Sequence, residues 1–329
     1  MSVEQELKLH VQAASRQAVK EIIDTATAKT IHLHAFYFDT CTREIAQAGI
    51  ALRLRKEDGI WIQTIKLPGD DALSKIEYNH PRPDATLDLS VYQSTPAKQA
   101  FSQLKNELVA RFETDIYRTL KLEETPYGVI ELAYDNGYIR SAQLEIPVCE
   151  LELELKEGSS AAIFTMANTW QRQHQFMLDF RSKAERGDAL ASAAIDSKLI
   201  DTDFKLWQPW HIDMDSAELS ALSIKQAIQL YLEQAARNAA IIAGIDRVDI
   251  KGALGLEISQ HINQLCSALQ RIQQLYANTD KQSKERLIAL QQYHGEFSQA
   301  SSAEAKELAG SIDFQACLLE ILTWTIVKA

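Results

Sequence analysis

Residues 149–158 read Cys-Glu-Leu-Glu-Leu-Glu-Leu-Lys-Glu-Gly, and no other stretch narrows the fold as far. Strict alternation is the period of a β-strand. It sets Glu150, Glu152, Glu154 and Lys156 on one face and Cys149, Leu151, Leu153 and Leu155 on the other. Three glutamates along one strand face repel one another, so that face needs cations near it. The same alternation opens the chain, with Glu4, Glu6 and Lys8 opposed to Val3, Leu7, Leu9 and Val11. It recurs in Arg53 and Arg55 against Leu52 and Leu54, and in Glu131 and Asp135 against Ile130, Leu132 and Tyr134. Lys66 and Arg118 fall within other strand-like runs. A single such strand reads as the wet face of an antiparallel sheet. The set as a whole reads as opposite charges meeting on a concave face. A closed sheet lined in this way would hold a polyanion and a metal together, since hard divalent cations prefer oxygen ligands and arginine forks suit phosphate.

About eight strands, mostly joined locally, are expected before residue 160. They include residues 2–11, the aromatic run "HAFYFDT", two strands joined by Asp58-Gly59, residues 74–80, "ETDIYRTLKLEE", "GVIELAYDNGYI" and "IPVCELELELKEG". Asn136-Gly137 reads as a second tight hairpin turn. Helices are expected at 15–28, capped by Ser15, and at about 96–110. Such a series suggests an antiparallel sheet curled into a barrel.

After residue 160 nearly all spacing is helical. Residues 201–217 read as a linker that packs. Beyond it, one long run starts at 218 with Leu222, Ala227, Leu230 and Leu232. A second covers 251–279, with Leu256, Ile262, Leu265, Leu269, Ile272 and Leu275 near one face, and further helices are expected at 281–300 and 312–327. The chain is therefore expected to be α+β, an eight-stranded antiparallel β-barrel over residues 1–200 followed by an all-α bundle over 201–329.

Charge and composition exclude several classes. A net charge of −11 over 329 residues, with 46% hydrophobic residues, argues against general affinity for nucleic-acid backbones. No basic-then-apolar leader opens the sequence, and no apolar run reaches the ~20 residues that cross a bilayer. The cysteines Cys41, Cys149, Cys266 and Cys317 form no pair motif and read as reduced thiols. Together these give the expectation of a cytoplasmic protein with no nucleic-acid or membrane partner. His32 and His34 form an H-x-H pair with no third ligand spaced nearby, a weak metal signal.

Taken in order, Glu4-x-Glu6-x-Lys8, "FYFDT" at 36–40, "GIALRLRKEDG" at 49–59, "QTIK" at 63–66, "IEYN" at 76–79, "DIYR" at 115–118, "ELAYDNG" at 131–137, "CELELELKEG" and "RSKAERG" at 181–187 resemble the CYTH superfamily, the triphosphate tunnel metalloenzymes. The resemblance covers roughly residues 1–190 and is closest to the bacterial inorganic triphosphatase branch. It implies an eight-stranded tunnel with inward charges. It implies metal-dependent hydrolysis of inorganic triphosphate to pyrophosphate and phosphate, with Mg2+ or Mn2+. By motif, Glu4, Glu6, Glu152 and Glu154 are the metal carboxylates. Glu150 shares their face, and which two of the three strand glutamates dominate stays open. Lys8, Arg53, Arg55, Lys66, Arg118, Lys183 and Arg186 match phosphate-holding positions, with Glu4, Glu6, Lys8, Glu152, Glu154 and Lys183 at the chemistry. Lys75 stands where relatives often have arginine, and supplies charge without the fork. Glu77, Glu131 and Asp135 are expected on the tunnel wall. Thiamine triphosphate, a nucleoside triphosphate or adenylate cyclisation are the alternatives within the fold, and a non-catalytic polyphosphate-binding module is the alternative outside it.

The second half resembles a short CHAD domain, whose family members carry a histidine- and arginine-rich polyphosphate helix. In "HINQLCSALQRIQQLY", Asn263, Cys266 and Gln270 stand at positions the motif fills with cations, and only Arg271 remains. Residues 211–329 hold ten Lys and Arg against fourteen Asp and Glu. The expectation is a scaffold packed on the tunnel or on a second copy in a homodimer, without polyphosphate affinity.

Overall fold

The computed structural model describes residues 1–195, 207–246, 255–277 and 284–327. The expected domain boundary at 200/201 and the start of the 251–279 run lie outside the described residues, and so does the side chain of Leu256. The strands are β1 Ser2–Val11, β2 Lys29–Asp39, β3 Ala51–Glu57, β4 Ile60–Pro68, β5 Ser74–Arg82, β6 Val109–Thr125, β7 Gly128–Ser141, β8 Leu144–Gly158 and the short β9 Phe176–Leu178. The helices are α1 Arg16–Ile23, α2 Glu44–Gln47, α3 Lys98–Ser102, α4 Ala161–His174, α5 Lys183–Ile195, α6 Ser216–Ser220, α7 Ile224–Ala243, α8 Gly255–Tyr276, α9 Lys284–Gln299, α10 Ser302–Ala309 and α11 Ile312–Ile326.

The sheet runs β5-β4-β3-β2-β6-β7-β8-β1, and β1 pairs back to β5, which closes an eight-stranded antiparallel barrel. β9 adds to β1 at one end. Asp58 and Gly59 both have positive φ, as the tight β3–β4 hairpin demands. Asn136-Gly137 is not a turn. β7 runs straight through it, with Gly137 paired to Ile116 and Val148, and the β7–β8 turn falls instead at Ala142, where φ is 49°. A Cβ at Gly137 would stand 2.0 Å from the Asp115 carbonyl oxygen, so close strand approach, not a turn, requires this glycine. The expected helix at 96–110 shrinks to α3, because β6 claims the chain from Val109. Ser15 precedes α1 but makes no side-chain cap. The single run expected from 218 divides into α6 and α7, since Ser223 builds a capping box with Gln226 and starts a new helix.

The barrel is inverted relative to a soluble sandwich strand. Charges point in, and the apolar faces point out under helices. Leu7, Leu9 and Val11 of β1 join Ile130, Leu132, Leu151 and Leu153 in a core with Ala162, Ile163 and Ala167 of α4. That core continues without a break through Ile228 and Leu232 of α7, Leu265 and Leu269 of α8, and Phe314 and Leu318 of α11. A second core lies inside the barrel. Leu33, Ala35, Tyr37, Phe112, Ile116, Ile139 and Val148 point inward and meet Leu190 and Ala191 of α5, which stoppers one end. Gly187 is what lets α5 press so close, for a Cβ there would fall 2.1 Å from the Phe112 ring. No helix among the described residues is long and apolar enough to cross a membrane.

Gly187→Ala therefore overpacks the stopper. Chemical denaturation should show a loss of about 1–3 kcal/mol, and Phe112→Leu in the same chain should recover part of it. Equal stability of Gly187→Ala and the parent would refute this packing.

Candidate active site

Strand alternation delivers a charged chamber. Glu4, Glu6 and Lys8 of β1, Arg53 and Arg55 of β3, Lys66 of β4, Lys75 and Glu77 of β5, Arg118 of β6, Glu131 and Asp135 of β7, Glu152 and Glu154 of β8, and Lys183 of α5 line one cavity of about 1100 Å³. Two expected members do not reach it. Glu150 and Arg186, 2% and 0% exposed, lie behind the chamber wall. Arg186 donates to Glu150, to the Pro147 carbonyl at 2.8 Å and to both oxygens of Asp246, which engages four of its five N–H groups, and it has no surface on the chamber. This placement corrects the expectation that it holds substrate.

Register sets most opposite charges side by side. Lys8 is paired with Glu152, Glu4 with Lys75, Lys66 with Glu77 and Arg118 with Asp135. Arg118 donates to both oxygens of Asp135 at 2.6 Å and to Glu152 at 2.5 Å. The Lys183 ammonium lies 2.7 Å from Asp135, 2.8 Å from Glu150 and 2.7 Å from Glu152. Burial by itself would raise the Glu150 carboxyl, but Lys183, Lys8 and Arg186 outweigh it and pull it down to about 2. Burial also opposes the charged form of Glu152, and Arg118 and Lys183 hold that carboxyl well below the usual range. The carboxylates in turn hold the buried Lys183 well above an ordinary lysine.

Two groups of residues are left with surplus charge. Glu6 and Glu131 each lie directly opposite Glu154 across β1-β8-β7. Lys156 answers Glu154 at 2.8 Å and Glu131 at 3.1 Å, while Glu6 forms no ion pair among the described residues. Burial pushes the Glu154 carboxyl up against the Lys156 hydrogen bond, and Glu4 and Glu131 add to the push. Like charges directly across a ladder destabilise it unless a cation comes between them. The other surplus is positive, at Lys8 on the same strand as Glu4 and Glu6 and at Arg53 and Arg55 of β3. The Lys8 Nζ, Arg53 Nε and Arg55 Nε atoms are buried without a hydrogen-bond acceptor among the described residues, and Lys8 stands 4.0 Å from Glu150. Burial and the neighbouring Arg53 lower Arg55 to about 10, which leaves it cationic at neutral pH.

Asp135, Glu150 and Glu152 bring carboxylate oxygens within 4.8 Å of one another, close enough to hold a metal. The Lys183 ammonium already serves these three. Glu4 has a long contact from Lys66 at 3.4 Å, Glu154 has Lys156 at 2.8 Å, and Glu6 has no ion pair among the described residues, so carboxylate oxygens remain for a hard divalent ion on that side of the chamber. The carboxylate set therefore fits a metal. His32 and His34 lie on the outer face of the barrel, and their rings hydrogen-bond Asp115 at 2.6 Å and Glu113 at 3.0 Å.

Sequence reasoning missed some chamber residues. Glu57 takes a 2.7 Å bond from Arg55 and could have been found, being on the same strand face two residues on. The Tyr37 hydroxyl lies 3.4 Å from Arg53 and carried no signal beyond an aromatic run. Arg237 and Glu233 of α7, which wall the mouth, carried none.

Glu150 gives a pH test. Its carboxyl is depressed on folding, so its contribution is complete above the ordinary value of 4.5 and is lost as pH falls through about 2. That contribution is on the order of 3 kcal/mol. Urea unfolding between pH 6 and 2.5 should show stability falling below pH 4.5. Glu150→Gln should be less stable at pH 7 and lose less over the same interval. Parallel curves would contradict the charge assignment.

The CYTH domain family profile matches residues 2–187, more than half of the chain. An inorganic triphosphatase from Haemophilus influenzae is 32% identical over 163 residues, 47% of this chain and 45% of that protein, so the match spans less than half of that relative's length. A Hippeastrum protein, solved as a candidate adenylyl cyclase with dominant triphosphatase activity, aligns at 15% identity and a TM-score of 0.39, over 56% of this chain and 95% of its own. A candidate adenylate cyclase from Bacillus halodurans aligns at 17% identity and a TM-score of 0.36, over 52% of this chain and 91% of its own. With the family profile covering every barrel strand from β1 to β8, the chain belongs to the CYTH family.

Proposed function

We propose that this chain hydrolyses inorganic triphosphate to pyrophosphate and phosphate with a divalent metal, Mg2+ or Mn2+, held in the chamber. One observation carries the reading. Three cationic groups, Lys8, Arg53 and Arg55, are buried with donors that have no acceptor among the described residues, and they line the same cavity as Glu6, which has no ion pair among them, and Glu4 and Glu154, each with one lysine partner. Leaving such donors unmade costs about 1–3 kcal/mol each, and a polyanion would satisfy them together. The opposite surplus suits a metal that arrives with that polyanion.

Arg53 and Arg55 would grip phosphate oxygens, with Lys66, Lys75 and Arg118 around them. Arg118 is clamped through Nε and Nη2 by Asp135 and Glu152, which preorganises its Nη1 to donate without reordering. Lys8 and Lys183 bring positive charge to the carboxylate end, where negative charge would build on the leaving pyrophosphate. Glu4, Glu6 and Glu154, with Glu152, would hold the metal, and Glu131 and Glu77 complete the wall. When bound, the metal would neutralise phosphate charge and lower the pKa of an attached water. The α5 stopper keeps bulk water from one end of the barrel.

Residues 1–200 would form the catalytic unit. The helices after it would serve as a degenerate CHAD-like scaffold, in keeping with the solvent-facing Asn263 and Gln270 on α8.

Purified chain with magnesium should release phosphate from tripolyphosphate faster than from ATP, thiamine triphosphate or long-chain polyphosphate. EDTA should stop the reaction and magnesium or manganese restore it. Arg53→Ala should lose about 2–4 kcal/mol in kcat/KM. Glu6→Gln should lose most turnover, together with the rise in Tm that magnesium gives the parent. Faster turnover of an organic triphosphate would move the substrate assignment. Full activity in EDTA, or normal kinetics in both variants, would overturn the reading.

A further inference from the structure

Lys183 reaches the chamber from a helix and not from a strand, and its place depends on how the first two turns of α5 are held. Arg186, one turn on, is fully buried and has no chamber surface. Its Nε and Nη2 donate to Asp246 at 2.8 and 2.6 Å, and its Nη1 donates to Glu150. Asp246 belongs to the helical bundle. It lies three residues beyond the end of α7, at a φ of 58°. Arg181 adds a contact to the same carboxylate at 3.3 Å and is itself clamped by Asp179 at 2.9 and 2.8 Å. A second tie joins the same two elements. Arg237 of α7 pairs with Glu185 of α5 and is steadied by Glu233 at 2.8 Å.

Glu150 is the joint in this chain of contacts. One of its oxygens accepts from Arg186, and the other accepts from Lys183 at 2.8 Å. With Asp246 present, Arg186 is neutralised from the far side and Glu150 remains free to hold Lys183. Without Asp246, two buried guanidinium groups, Arg181 and Arg186, compete for Asp179 and Glu150. Glu150 is then drawn off Lys183, whose remaining anchors, Asp135 and Glu152, already serve Arg118. A displacement of about 1 Å at a reacting group is enough to lower a rate strongly.

We propose that Asp246 is a positioning residue, which acts through Arg186 and Glu150 to fix Lys183 in the chamber, so that the helical bundle supports catalysis and not only solubility. This rests on the reading of the chamber as a phosphohydrolase site. It assigns Arg186 a role its burial allows, in place of phosphate contact.

The test is a double-mutant cycle on the full chain with magnesium and tripolyphosphate, run below the melting temperature of every variant. Asp246→Asn should lower kcat about tenfold and change KM less than twofold. On a Lys183→Ala background the same substitution should cost less than twofold. Unchanged kcat per folded molecule, or the same loss on both backgrounds, would overturn the proposal, because a purely structural pair would not couple to Lys183. If Asp246→Asn does not fold, the paired change Arg186→Met with Asp246→Leu removes the competitor together with its partner, leaves Glu150 to Lys183 and should keep kcat within about twofold of the parent; a tenfold loss there would overturn the proposal. A crystal structure of whichever variant folds reads the proposal independently of turnover. In Asp246→Asn, Lys183 should leave Glu150, and retention of all three of its carboxylate contacts there would contradict the proposal; in the paired variant, with no Arg186 to compete, loss of the Lys183–Glu150 contact would contradict it. A parent chain that fails to hydrolyse tripolyphosphate would sink the functional reading, while the movement of Lys183 would still be decided by that structure.

Discussion

A closed β-barrel with its charges pointing inward must neutralise them within itself, and everything else in this molecule follows from how register does so. Lys66 meets Glu77 and Arg118 meets Asp135 because the ladders align them, while Lys8 is set opposite Glu152 without pairing to it. Buried ion pairs contribute little net stability, since desolvation offsets much of the attraction. The interior is therefore a poor choice for stability alone. Neutralisation is also incomplete in a patterned way. Glu6, Glu154 and Glu131 stand in line across three strands, while Lys8, Arg53 and Arg55 keep unused donors. A set of charges mismatched locally in both signs is what an anion and a cation arriving together would complete.

Turning the charges inward turns the leucines outward, and that explains the helices. The outer faces of β1, β7 and β8 carry the apolar half of each alternation, and α4 and the bundle cover them in one continuous core. The bundle thus shares its interior with the barrel. The ion pairs of Asp246 with Arg186 and of Arg237 with Glu185 add directional ties to the non-directional apolar contact. Burial of leucine faces sets how strongly the two parts associate, and the charged pairs set their register.

The barrel was legible because strand period and charge coincide. Glu4-x-Glu6-x-Lys8 and the 149–158 run declare their faces without any knowledge of partners, and the β3–β4 turn is written in Asp58-Gly59. Chamber membership followed wherever a charge sat on such a face. Reading failed where the deciding contact was remote. Asn136-Gly137 has turn chemistry, but two long neighbouring strands kept β7 extended through it. Arg186 has the spacing of a phosphate ligand, but its helix is rotated to meet Asp246, sixty residues away. Glu150 shares a strand face with Glu152 and Glu154, yet the α5 stopper covers it. None of these contacts leaves a local trace, because an ion pair between distant segments has no periodicity.

The account turns on where the two surplus patches send their ligands. The most direct measurement is anomalous diffraction from crystals grown with Mn2+ and a non-hydrolysable tripolyphosphate analogue. The account predicts a manganese peak inside the barrel, bound by oxygens of Glu4, Glu6 or Glu154, with phosphate groups on Arg53, Arg55 and Lys8 and none on Arg186. Manganese outside the chamber, or phosphate bound to the helical bundle with the barrel empty, would contradict it.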